Sequence, residues 1–125
     1  MKSVLIVDDE RVLAETVELI LGRAGYSVLT AADGKQAQEI IEGKNVDLII
    51  TDLVMPRLDG LKLMEWLRDH RSLDRVKIML MTGKPNAINP LKMHSPEADD
   101  YLVKPFNETA LLEKVDKLIG KVIGP

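Results

Sequence analysis

Short apolar runs recur along the chain, separated by longer segments whose apolar residues return every three or four positions. The runs are Val4 to Val7, Val28 to Ala31, Val46 to Thr51, Lys77 to Met81 and Tyr101 to Val103. Several have no polar alternation, the pattern of parallel strands covered on both faces. Five such strands alternating with helices predict an α/β fold, a doubly wound five-stranded parallel sheet with right-handed crossovers. At 125 residues the chain suits one domain, 1–125, with a single buried core.

The intervening segments carry their own start and stop signals. Val12, Leu13, Thr16, Val17, Ile20, Leu21 and Ala24 form one helical stripe, which Gly25 can end in the left-handed conformation. Acidic residues after a strand often cap helices, so Asp9 is expected to begin this one. Asp33-Gly34-Lys35-Gln36 has the form of a capping box and opens a second helix to about Gly43. A third runs from Gly60 to about His70 with Leu61, Met64 and Leu67 inward and Trp66 at its edge. Asn107 is the expected cap of the last helix, whose stripe includes Leu111, Leu112, Val115, Leu118 and Ile119. Met64, Met79 and Met81 read as core filling, and Lys114, Lys117 and Lys121 as a solvated face.

In open parallel sheets ligands sit beyond the carboxyl ends of the strands. Asp8, Asp9 and Glu10 follow the first run, Asp52 the third, Thr82 and Gly83 the fourth, and Lys104 and Pro105 the fifth. Like charges about 4 Å apart cost roughly 4 kcal/mol at an effective dielectric near 20, and a hard divalent cation relieves that repulsion. Magnesium suits such a site because it keeps several waters and needs only one or two carboxylates beside phosphate oxygens. Lys104 adds a mobile positive charge, and Thr82 a hydroxyl that can donate to an anionic oxygen.

Composition narrows the classes further. The net charge of −3 gives no global attraction to nucleic acid or to anionic membranes. Cysteine is absent, which rules out disulfides and thiolate metal sites and suits a reducing cytoplasm. No apolar run approaches the ~20 residues of a membrane span, and Lys2 leads straight into the first strand, so neither a span nor a signal peptide is expected.

Over essentially its whole length the chain resembles the response-regulator receiver family of two-component signalling. The resemblance is carried by Val4 to Glu10, by Asp47 to Pro56 with Asp59-Gly60, and by Asp99 to Phe106. It implies a flavodoxin-like strand order 2-1-3-4-5 and a phosphoacceptor at Asp52. A sensor histidine kinase, a histidine phosphotransfer protein or a small phosphodonor would supply the phosphoryl group. It implies that Asp9 and Asp52 bind Mg2+ directly, Asp8 through water and Val54 by its backbone carbonyl. Lys104 would hold a phosphoryl oxygen, with a cis bond between Lys104 and Pro105, while Thr82 and Tyr101 would form the switch. Such a domain catalyses only its own phosphorylation and dephosphorylation. It acts in the cytoplasm on a downstream protein target or an output domain, and a homodimer is one assembly left open.

One segment departs from the family pattern. Pro85, Pro90 and Pro96 fall where the family places its fourth helix, which predicts an irregular or shortened helix between Gly83 and Asp99. Three rival functions share parts of the pattern. A magnesium-dependent phosphohydrolase with an aspartate nucleophile would want an acid two residues after Asp52, where Val54 stands. A flavodoxin-like FMN carrier would set its phosphate against Asp8-Asp9-Glu10. A phosphorylation-independent pseudo-receiver would lack part of the acidic cluster or the lysine.

Overall fold

A computed structural model of the chain describes residues 2–52, 60–69, 76–83 and 98–120. Five parallel strands, β1 (Ser3–Val7), β2 (Ser27–Ala31), β3 (Leu48–Asp52), β4 (Lys77–Thr82) and β5 (Asp100–Val103), form one sheet in the order β2-β1-β3-β4-β5. Among the described residues the helices are α1 (Arg11–Arg23), α2 (Gly34–Gly43), α3 (Gly60–Arg68) and α4 (Glu108–Ile119). The α/β doubly wound architecture and the strand order are those expected. The proline-containing stretch, with the expected irregular or shortened helix, lies outside the described residues apart from its two ends.

Successive strand residues point to opposite faces, and each face carries its own core. Leu5, Val7, Ile49, Ile78 and Leu80 meet Ala37 and Ile41 of α2 and Leu63 and Leu67 of α3. Val4, Ile6, Leu48, Ile50, Met79 and Met81 meet Ala14, Val17 and Leu21 of α1 and Leu111 and Val115 of α4. The unbroken apolar runs thus have a direct cause, because both faces of β1, β3 and β4 are covered. Met79 and Met81 are core residues as expected, and Trp66 packs partly against the α2–α3 side. In α3 the inward positions described are Leu63 and Leu67, whereas the side chains of Leu61 and Met64 lie outside the described set.

Helix ends follow the local chemistry, with one correction. Gly25 adopts a φ of 99° after α1, and the amides of Gly25 and Tyr26 donate to the carbonyls of Gly22 and Leu21. That pairing satisfies the last carbonyls of the helix, and the positive φ is one a glycine reaches without strain. Asn107 caps α4 by accepting from the Ala110 amide at 2.7 Å, as expected. Asp33 caps α2 by accepting from the Gln36 amide at 2.9 Å, and Gln36 Oε1 reaches back to accept from the Ala32 amide at 2.7 Å. Asp9 does not cap α1. Glu10 occupies that position without a side-chain cap, and Asp8 Oδ1 accepts from the Glu10 amide at 2.8 Å. The Asp8 carboxylate thus closes a short local turn onto the amide of the residue that precedes the helix.

Two aspartates tie strand entries together. Asp47 donates its amide to the Ser3 carbonyl and accepts the Ser3 amide on Oδ2, at 2.9 and 2.7 Å. Asp99 repeats this with Ile78, its amide donating at 2.8 Å and its Oδ2 accepting at 2.8 Å. Lys114 is not part of a wholly solvated face: it is half-buried and donates to Asp100 Oδ1 at 3.0 Å.

Candidate functional site

Register alone brings the acidic residues level with one another. Val7 of β1 pairs with Thr51 of β3, so Asp8 and Asp52 stand side by side one residue further on. Asp52 pairs with Met81, and Thr82 pairs with Val103, which places Lys104 next along at the same edge. Residues nearly a hundred positions apart in sequence therefore meet because parallel strands end together.

The Lys104 ammonium sits among three carboxylates. Its Nζ lies 3.1 Å from Asp52 Oδ2, 3.4 Å from Asp8 Oδ2 and 3.5 Å from Glu10 Oε1. Carboxylate oxygens of Asp8, Glu10 and Asp52 all lie within 4.8 Å of one another. Asp8 and Asp52 are buried, while Glu10 is at the exposed rim. The stem of Lys104 runs past Gly83, where an added Cβ would touch Lys104 Cβ and Cδ at 3.7 and 3.9 Å.

Burial pushes the Asp8 carboxyl up. The charge of Asp52 adds to that rise, and the Glu10 amide and Lys104 offset only part of it. For Lys104, burial by itself would lower the ammonium. The hydrogen bond to Asp52 and the charges of Asp8, Asp52 and Glu10 outweigh burial, and its pKa is raised. Lys104 is thus held as a cation, and Asp8 is a carboxylate that ionises against resistance.

Of the residues singled out from sequence, Asp8, Asp52 and Lys104 come together. Asp9 is exposed and lines a groove with Asp8, Arg11 and Gln36 on the other side of the β1 end. Thr82 is the last residue of β4, and its side chain lies outside the described set, as does the whole of Val54. Tyr101 is partly buried against the α2–α3 side of the core. The Lys104–Pro105 peptide bond is cis. Sequence reasoning gave Glu10 no role of its own, although it is the third of three consecutive carboxylates and, with Asp8, one of the two that reach Lys104.

The oxygen-only donor set of Asp8, Glu10 and Asp52 fits a hard divalent cation and suits neither a soft metal nor an anion. Among the described residues of this cluster, three carboxylates stand against one ammonium, an excess of negative charge that a divalent ion would offset.

Comparison with known proteins agrees with this geometry. The sequence profile described as the response regulator receiver domain matches residues 4–116. The chain is 32% identical over 96% of its length to the alkaline phosphatase synthesis transcriptional regulatory protein PhoP of Bacillus subtilis, of which it covers 49%. It is 36% identical over 95% of its length to the transcriptional regulatory protein AruR of Pseudomonas aeruginosa, of which it covers 50%. The chain thus spans about half the length of the curated relatives it matches. Among solved structures, chemotaxis response regulator CheY4 of Vibrio cholerae superposes with a TM-score of 0.87 at 31% identity, covering 94% of this chain and 98% of that one. Response regulator TrrA of Thermotoga maritima, solved in complex with Mg(2+)-BeF, gives 0.84 at 36% identity, covering 94% and 99%.

Proposed function

The chain belongs to the response regulator receiver domain family, and from that premise we propose that it is a Mg2+-dependent phosphoacceptor with Asp52 as the residue modified. The observation that carries this reading is the placement of Asp52, buried at the end of β3 with Oδ2 3.1 Å from the Lys104 ammonium and Asp8 alongside. A nucleophilic carboxylate next to a fixed cation is what phosphoryl transfer needs, since positioning and charge neutralisation supply most of its catalysis.

In the proposed reaction a carboxylate oxygen of Asp52 attacks the phosphorus of a phosphohistidine on a sensor kinase or phosphotransfer protein. The P–O bond forms as the P–N bond breaks, and the electron pair leaves with the imidazole nitrogen. Lys104 accompanies the phosphoryl oxygens as charge builds on them, and its raised pKa keeps it charged at neutral pH. Magnesium, when bound, supplies the remaining neutralisation of carboxylate and phosphoryl oxygens. Asp8 and Asp52 are the buried residues that would hold it; Asp9 and the Val54 carbonyl are proposed with them from the family resemblance. Thr82 and Tyr101 are proposed as the switch that reports the phosphoryl group, biasing an existing equilibrium between two conformations.

As a receiver of a two-component response regulator the chain is a signalling module, and residues 1–125 are proposed as one domain. The curated relatives named above carry about as much sequence again, so the output is proposed to reside in an attached domain or a separate protein target. No helix among the described residues is long and apolar enough to cross a membrane, consistent with the proposed cytoplasmic location. Incubation with acetyl phosphate and magnesium should add the mass of one phosphoryl group. Asp52→Asn should add none, and equal labelling of this variant would end the assignment.

A further inference from the structure

The functional reading above gives roles to Asp8, Asp52 and Lys104 but leaves Glu10 without one. Yet its carboxylate lies 3.5 Å from the Lys104 ammonium, and its backbone is fixed by the Asp8 bond at 2.8 Å. The three partners of Lys104 also differ in exposure. The side chains of Asp8 and Asp52 are 0% and 12% exposed, and that of Glu10 is 65% exposed.

That difference sets what happens when a divalent cation enters. Buried carboxylates have the most to gain from a divalent counter-charge, so the ion is drawn to the end of β1 and β3, where Asp8 and Asp52 are buried and Asp9 adjoins them, and not to the solvated Glu10. A divalent cation on these carboxylates repels the Lys104 ammonium, and two like charges about 4 Å apart already cost roughly 4 kcal/mol at an effective dielectric near 20, before the second charge of the ion is counted. That repulsion drives Lys104 away from its inner partners, Asp8 Oδ2 and Asp52 Oδ2. Glu10 is the acceptor already within reach on the outward side.

We propose that Glu10 is a positioning residue, the carboxylate to which Lys104 moves when a divalent cation takes Asp8 and Asp52. It keeps the ammonium at the mouth of the site, where an incoming phosphoryl oxygen needs it, and eases cation entry by giving Lys104 somewhere to go. This inference rests on the Mg2+-dependent reading and goes beyond it by assigning a role to the third carboxylate.

A double-mutant cycle on Mg2+ binding tests it, measured by calorimetry at physiological ionic strength on wild type, Glu10→Gln, Lys104→Met and the double variant. Glu10→Gln should weaken Mg2+ binding about fivefold, the worth of one partly exposed ion pair. In the Lys104→Met background the same change should cost less than about twofold, within the usual error of additivity. An equal loss in both backgrounds would mean that Glu10 acts as a ligand or a bare charge, and no loss in either would mean that it does nothing; both outcomes overturn the proposal. If the wild type binds no Mg2+ at all, the Mg2+-dependent reading itself fails, which is a separate and recognisable result. A second measurement needs no Lys104 variant. With Mg2+ bound, Lys104 should react with an acylating reagent faster in Glu10→Gln than in wild type, as read by peptide mass, and equal rates would also overturn the proposal.

Discussion

Lys104 Nζ and Asp52 Oδ2 are 3.1 Å apart, so the proposed phosphoacceptor and its counter-ion already touch across 52 residues of sequence. The contact makes Lys104 a stabilising residue as well as a chemical one. Removing it takes away the ammonium that buried Asp8 and Asp52 share.

Lys104→Ala should therefore lower stability in metal-free buffer by about 1–3 kcal/mol, the usual cost of losing hydrogen bonds to a charged group. Saturating Mg2+ should recover most of that loss, because the ion replaces the missing cation and binds without competition from the ammonium. Denaturant unfolding with and without Mg2+ reads both effects. A loss that Mg2+ leaves untouched would show that Lys104 stabilises through packing of its stem rather than through charge.

Asp8 carries the opposite sign. Its folded pKa is raised, chiefly by burial, so the folded state prefers the protonated form. That preference contributes stability below the unfolded value near 3.8 and is lost as pH rises through the folded pKa. At neutral pH the ionised carboxylate is therefore a burden on the metal-free fold. Asp8→Asn should melt higher than wild type at pH 7 without metal, with the gap closing as pH falls toward 4, and should respond less to Mg2+. A melting point below wild type at pH 7 would show that the Glu10 and Lys104 bonds outweigh burial.

Much of this arrangement was legible in sequence because it depends on backbone periodicity. Unbroken apolar runs fixed strands with two covered faces, and parallel register then forced Asp8, Asp52 and Lys104 to one edge whatever their separation along the chain. What sequence left out depends on side-chain direction. Asp8, Asp9 and Glu10 look equivalent as letters, but the turn that bonds Asp8 Oδ1 to the Glu10 amide buries the first, exposes the second and brings the third toward Lys104. In the same way Lys114, read as solvated, finds Asp100, and a half-buried ion pair of this kind leaves no periodic trace.

Tyr26 is another residue whose role shows only in three dimensions. It is buried, and its hydroxyl donates to Asp116 Oδ1 at 2.5 Å while lying 3.0 Å from the Gly120 carbonyl. It thereby fastens the turn after α1 to the last turn of α4. Burial and the Asp116 carboxylate push the phenol well above its usual range. The neutral form is favoured on folding, so this contribution is complete below the unfolded value of about 10 and is lost as pH climbs beyond it. Tyr26→Phe should cost about 1 kcal/mol at pH 7 and should remove the later-titrating phenol from an ultraviolet pH titration. The stability gap between the two proteins should narrow above pH 10, and a gap that stays constant would mean that the hydroxyl does not carry it.

Asp99 offers a test of how the sheet positions the site from the far end of the strand. Its Oδ2 accepts the Ile78 amide at 2.8 Å and its own amide donates to the Ile78 carbonyl, so it clamps the entry of β5 to β4. Lys104 leaves the other end of β5, four residues beyond the first strand residue Asp100. Asp99→Ala would strand the Ile78 amide beside a fully buried side chain, at a cost of about 1–3 kcal/mol. Asp99→Asn keeps an acceptor oxygen and should lose less than half as much. If the clamp also sets the reach of Lys104, Asp99→Ala should slow phosphorylation by acetyl phosphate at temperatures where the variant is still folded, and Asp99→Asn should restore the rate. A folded Asp99→Ala variant that is phosphorylated at the wild-type rate would confine the clamp to stability, and would show that β5 is held in register by its ladder to β4 alone.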